Sequence, residues 1–149
     1  MKFNYKWGNI LSNFYAAKLK AGDVFCVNTH AKLLNEVFET NYKTWRKSTW
    51  RYSKNAFAWI IHIDGKPRDN FINNWLNKDV ILQQYIGTDD IWNGNHLQLD
   101  APNDYRLVFE IIDASTRKYI FQGVYLMDRN NSKPKAMIFK KVSNVFPIN

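Results

Sequence analysis

A single cysteine, Cys26, rules out an internal disulfide framework and any cysteine-rich zinc site. It sits in the apolar run Val24-Phe25-Cys26-Val27, where a buried, inert thiol is expected. Histidine is scarce too: His30, His62 and His96 share no metal-ligand spacing, and His62 reads as a residue of a core strand. The six glycines form neither a phosphate-cradling loop nor a nucleophile elbow. No apolar run approaches the roughly 18–20 residues that cross a bilayer. Met1 to Lys20 mixes Lys, Asn, Trp and Tyr instead of the apolar stretch of a signal peptide. Repeats, linkers and low-complexity tracts are also missing. Together these absences predict a cytoplasmic chain with no membrane partner, no metal and no cofactor.

Acidic residues are the informative shortage. Thirteen Asp and Glu stand against 21 Lys and Arg, a formal charge of +8. A surplus of that size attracts polyanions and speeds their capture. The 149 residues, 46% of them hydrophobic, suit one domain with one core spanning 1–149, or a module of a longer protein.

Short β-type runs dominate. Strands are expected near Asp23–Phe25, over Ala56–Ile63 closed by the Asp64-Gly65 turn, and over Val80–Ile86 before Gly87. Tyr105–Ile112 and Lys118–Met127 read as a hairpin, and Ala136–Val142 as the last strand. Apolar residues at 33, 34, 37 and 38 predict a helix over Ala31–Phe38, capped by Asn28 or Thr29. A second short helix is expected over Asp69–Leu76. The class is therefore a β-rich α+β fold with one or two short helices. Closure into a barrel would protect the edges of so small a sheet, and a twisted sandwich is the alternative.

Asn41 to Asn55 holds five cations, Lys43, Arg46, Lys47, Arg51 and Lys54, with no acid and with the rings of Tyr42, Trp45, Trp50 and Tyr52. Phosphates favour such cations, and bases stack on such rings. The polar spacers predict an exposed loop; the bland alternative is a solvated loop whose rings fold back onto the core. A second basic stretch, with Arg129, Lys133, Lys135, Lys140 and Lys141, has the composition of protected hairpin tips and edges. Asp89-Asp90, beside Trp92 and Asn95, combines carboxylates, an indole and an amide that suit a base edge. The same pair of carboxylates suits a divalent metal in a nuclease, or simply an Asx-rich turn.

Three blocks carry a resemblance. They are Gly22-Asp23-Val24-Phe25; Asp79-Val80 through Tyr85-Ile86-Gly87 with Gly94-Asn95-His96-Leu97; and Leu107-Val108-Phe109-Glu110 with Tyr119-Ile120-Phe121-Gln122-Gly123-Val124-Tyr125. Their order resembles the SRA-like, PUA-related domains at the front of modification-dependent HNH restriction endonucleases. The resemblance spans Gly22 to about Val142. It implies a curved β-barrel that binds double-stranded DNA and captures a modified, flipped base in an aromatic pocket. It implies a role in restriction, with cutting done by a fused or partner nuclease, since no HNH motif is present. By match, Tyr85, Gly87, Gly94 and Asn95 fall at pocket-forming turns. Where the family has a Gly-Asp step after Tyr-x-Gly, this chain has Thr88-Asp89-Asp90-Ile91-Trp92. The base pocket is thus expected from Tyr85, Asp89, Asp90, Trp92 and Asn95, helped by Trp50 or Tyr52, with no catalytic residue in the chain. The alternatives are an RNA- or DNA-binding protein without a base pocket, a metal-dependent nuclease using Asp89 and Asp90, and a protein-binding inhibitor.

Overall fold

The computed structural model describes residues 18–87 and 99–148. In chain order the elements are β1 (Lys18–Lys20), β2 (Val24–Phe25), α1 (His30–Phe38), β3 (Thr49–Ser53), β4 (Ala56–Ile61), β5 (Phe71–Asn77), β6 (Val80–Tyr85), β7 (Tyr105–Asp113), β8 (Arg117–Met127), β9 (Ala136–Ser143) and β10 (Val145–Pro147). Eight strands form one mixed sheet along the path β3-β4-β7-β8-β9-β6-β5, with β2 beside β8, while β1 and β10 make a separate ladder. Only the β4–β7 ladder of that sheet is parallel among the described residues. The β-rich class with a short helix is therefore as expected. The pairing path ends at β3 and at β5, which do not pair with each other among the described residues. No helix of the described residues is long and apolar enough to cross a membrane.

The sheet buries both of its faces. Every residue of β4 is buried. Strand alternation sends Ala58, Ile60, Leu107 and Phe109 to one core, with Leu33, Leu34 and Val37 of α1. The same alternation sends Trp59, Ile61 and Val108 to a second core, with Ile81, Tyr125, Met137 and Phe139. Each fully buried side chain of this size contributes about 1.5–3 kcal/mol, so both faces hold the fold together.

Strand β8 changes face in mid-course. Its register against β7 slips between Val108 and Phe109, and its register against β9 slips between Val124 and Tyr125. Tyr119 and Phe121 therefore join the first core, whereas Tyr125 and Met127 join the second. Gly123 sits at the switch with φ 130, and a Cβ there would lie 2.9 Å from the Ser143 carbonyl oxygen.

Helix α1 starts where Thr29 accepts a hydrogen bond from the Lys32 amide at 3.1 Å, a cap worth about 1 kcal/mol. At its other end Asn35 accepts from the Tyr42 amide and donates to the Tyr42 carbonyl, both at 2.9 Å. That clamp fixes the direction in which the basic segment leaves the helix.

Three expectations are corrected. Residues 69–76 do not form a helix: Phe71–Asn77 is strand β5, hairpinned to β6. The Asp79 amide donates to Asn77 Oδ1 at 2.8 Å, an Asx turn that reverses the chain. Thr49–Ser53 is strand β3 at an edge of the sheet rather than part of a loop. Cys26 is exposed, because β2 ends at Phe25, whose ring packs 6.2 Å from Phe109, and the next residue faces away.

Candidate nucleic-acid interface

On the second-core face, a cavity of about 630 Å³ opens between the two ends of the sheet. Ser48 and Thr49 border it from the β3 side, Phe71 and Asn73 from β5, and Gln83 and Met137 from β6 and β9. Trp59 and Ile61 of β4 line it as well. A volume in this range suits a small organic ligand. The lining combines flat apolar surfaces with amides, which is what capture of a nucleobase needs.

The inward stripe of the β5–β6 hairpin has three layers. Phe71 pairs with Tyr85, Asn73 with Gln83, and Trp75 with Ile81. The rings of Phe71 and Tyr85 pack with centroids 5.4 Å apart. Two amides thus sit between two apolar layers. Beside them, Arg106 is buried and holds Asp100 through two hydrogen bonds of 2.8 and 2.7 Å. Its guanidinium lies 4.3 Å from the Trp59 ring centroid and 4.2 Å from that of Phe139. Its charge is neutralised by Asp100, so it organises the cavity wall and tethers the segment that leads into β7.

Cations ring the opening. Arg68 and Arg117 are tied to Asp64 and Asp113, whereas Arg46 and Lys66 have no carboxylate partner among the described residues. His62 Nε2 lies 2.7 Å from Asp113 Oδ2, and Arg117 Nε donates to the other carboxylate oxygen at 3.0 Å. The His62 hydrogen bond, with help from Arg117, holds Asp113 below the usual carboxylate range. Burial pushes His30 below its ordinary value, and nearby Arg117 and His62 push the same way. Burial raises the Tyr119 hydroxyl, so it stays protonated, 2.9 Å from His30 Nδ1. Such a mouth sets cations beside neutral hydrogen-bonding groups.

The sequence-predicted residues divide into three groups. Lys43, Arg46, Lys47 and Lys54 are exposed, and Arg46 reaches the cavity. Arg51 is exposed but gives its guanidinium to Asp104 through bonds of 2.7 and 3.0 Å. The rings fold back: Trp45 packs on Tyr42, Trp50 donates to the Tyr42 hydroxyl at 2.9 Å, and Trp50 and Tyr52 stack near Phe38. Neither Trp50 nor Tyr52 lines the cavity. Tyr85 is buried in the ring layer next to the amides. Asp89, Asp90, Trp92 and Asn95, with Gly94, lie outside the described residues. Of the second basic stretch, Lys140 is paired with Asp128 and Lys141 with Asp79.

His62, Lys66, Asn73 and Gln83 escaped the sequence reading. His62 lies just beyond β4, half-buried at the cavity instead of in a core strand. The signal for the amides was present, since Gln83 interrupts an otherwise apolar alternation of Ile81 and Tyr85. It becomes readable only once residues 71–77 are known to be a strand. Among the described residues no group of three His, Cys, Asp or Glu side chains converges as a metal site would require.

Residues 16–148 match the family described as the SET and RING associated domain, SRA. No curated protein sequence matches the chain. Among solved structures, it superposes on "The 5-Hydroxymethylcytosine-Specific Restriction Enzyme AbaSI" with a TM-score of 0.68 and 16% sequence identity. The match covers 99% of this chain and 48% of that one, so the chain spans about half the length of the solved relative.

Proposed function

The chain belongs to the SET and RING associated domain family, and from that premise we propose that it is a DNA-binding reader that takes a modified base out of the duplex. The observation that carries this reading is the cavity: about 630 Å³, with rings and amides inside and, at its mouth, the cations Arg46 and Lys66, which have no carboxylate partner among the described residues. Phosphates on either side of a flipped nucleotide meet the cations, while the base enters between Trp59, Phe71 and Met137. Leaving the stack costs a few kcal/mol, which stacking and edge hydrogen bonds repay. Asp89, Asp90, Trp92 and Asn95, between Tyr85 and Leu99 in sequence, supply further base contacts in this proposal. The setting is restriction of foreign DNA in the cytoplasm, with cleavage performed by a separate domain or partner. The likeness to half of a 5-hydroxymethylcytosine-specific restriction enzyme supports that division of labour.

Fluorescence anisotropy with matched duplexes carrying cytosine, 5-methylcytosine or 5-hydroxymethylcytosine tests the proposal, alongside single strands and RNA. At least one modified duplex is expected to bind about tenfold or more tighter than the plain one, a difference of about 1.4 kcal/mol. Equal affinity for every duplex, or a preference for RNA, would overturn it.

A further inference from the structure

Five polar side chains at the mouth form one connected chain. His62 Nε2 lies 2.7 Å from Asp113 Oδ2, and Arg117 Nε donates to Asp113 Oδ1 at 3.0 Å. The Arg117 guanidinium also bonds to the Tyr119 hydroxyl, which lies 2.9 Å from His30 Nδ1. His30, His62 and Arg117 all border the opening. Tyr119 is fully buried, so its own hydrogen needs an acceptor, and His30 Nδ1 supplies one. The neutral His30 ring then carries its proton on Nε2. The middle members of the chain keep fixed charge states. The His62 hydrogen bond, with help from Arg117, holds Asp113 below the usual carboxylate range, Asp113 holds Arg117 above its ordinary value, and burial raises Tyr119. Near neutral pH a proton entering this chain can settle only on an imidazole. His62 already faces the Asp113 carboxylate, whereas His30 faces no carboxylate among the described residues. Its own helix has no acid in the first turn. What surrounds His30 is neutral or positive: Tyr119 and Arg117 of β8, His62 beyond β4, and Arg46, Lys66 and the Asp64-paired Arg68 around the same opening. Burial, then Arg117 and His62, hold it below its ordinary value.

We propose that His30 and Arg117 form a phosphate site that fills with uptake of a proton by His30. The assignment rests on the reader function proposed above and specifies where the duplex backbone is held and how acidity governs the hold. A phosphodiester oxygen accepts from His30 Nε2–H and from the exposed Arg117 guanidinium, which has donors left after serving Asp113 and Tyr119. Arg46 and Lys66 add positive charge around the same opening. The phosphate charge offsets the repulsion from Arg117 and His62 that keeps His30 neutral in the free protein. The bound state therefore holds more protons than the free state. By linkage, binding strengthens as pH falls toward and below the ordinary histidine value, and is level above it. The contact is to the backbone, so plain and modified duplexes share the effect.

The test measures the affinity of the full chain for a plain and a 5-hydroxymethylcytosine duplex across neutral and mildly acidic pH, at constant salt. Both dissociation constants are expected to fall about threefold or more between about pH 8 and about pH 6. His30→Gln, which cannot titrate, should flatten that dependence. The His30 ring-proton NMR signal gives a second readout: its titration midpoint should rise when either duplex is added. In the free protein Arg117→Gln should raise the same midpoint, because a positive neighbour is removed. Thermal midpoints of both variants confirm that they fold. A His30 midpoint that duplex does not move, or a pH dependence that survives His30→Gln, would overturn the site. An equal rise with inorganic phosphate at the duplex concentration would overturn its assignment to the DNA backbone. Affinity indifferent to pH, with a preference for modified DNA retained, would strike the site and leave the reader function standing. Equal affinity for the two duplexes, with the pH dependence intact, would strike the reader function and leave the phosphate site.

Discussion

At Gly123 one residue lets β8 serve two cores. Its φ of 130 is a conformation that L side chains rarely adopt, and the space a Cβ would need is taken by the Ser143 carbonyl and the Lys141 side chain. Gly123→Ala is expected to lower the unfolding free energy by about 1–3 kcal/mol, read as a shift of the urea midpoint at unchanged slope. A midpoint equal to that of the native chain would mean the bulge is not a point of strain. Residues of this kind were only half legible. A glycine inside an apolar strand signals a bulge, but nothing in the letters says that alternation inverts across it. The same limit applies to Cys26 and His62. Each sits one residue past the end of a strand, and a one-residue shift in the boundary moves a side chain from core to surface.

Elements whose pattern agreed with their neighbours were readable. The β7–β8 hairpin, β4, β6, β9 and α1 with its Thr29 cap all lie where periodicity puts them. Strand β5 was not readable. Phe71, Ile72, Trp75 and Leu76 satisfy a helical spacing as well as a strand, and only the Asn77–Asp79 turn decides between them. The short ladder of β1 with β10 joins residues over a hundred positions apart, beyond the reach of any local signal. The basic segment combined both outcomes: its cations are exposed, as the spacers suggested, while its rings pack inward. This separation gives a graded expectation. The double variant Arg46→Ala, Lys47→Ala should weaken binding to all duplexes and lower the salt slope by about 1 for each phosphate that is no longer neutralised. Arg51→Ala should change the slope less, because its charge is already shared with Asp104. Unchanged affinity of the double variant at two salt concentrations would remove the segment from the interface.

Over the whole molecule, the net charge of +8 pointed to a polyanion, and the order of short motifs pointed to the family. Neither could locate the cavity, which is assembled from β3, β4, β5, β6 and β9 and so depends on a strand order that the sequence does not spell out. That order has a mechanical consequence. The sheet is a cuff rather than a ring, and Asn73 is its clasp: the Gly65 amide donates to the Asn73 carbonyl at 2.9 Å, and the Asn73 side chain donates to His62. These two bonds join β5 to the segment leaving β4, whereas the β7–β8 ladder runs from Arg106 opposite Tyr125 to Asp113 opposite Arg117. Prising the cuff apart therefore breaks a clasp instead of a ladder, so the cavity can widen there without unfolding a strand. The Gly65 amide is expected to exchange its hydrogen faster than those of β7 and β8 in the free protein. It should slow markedly once a preferred duplex is bound. Uniform protection across the sheet, with or without DNA, would show that the cuff does not open there.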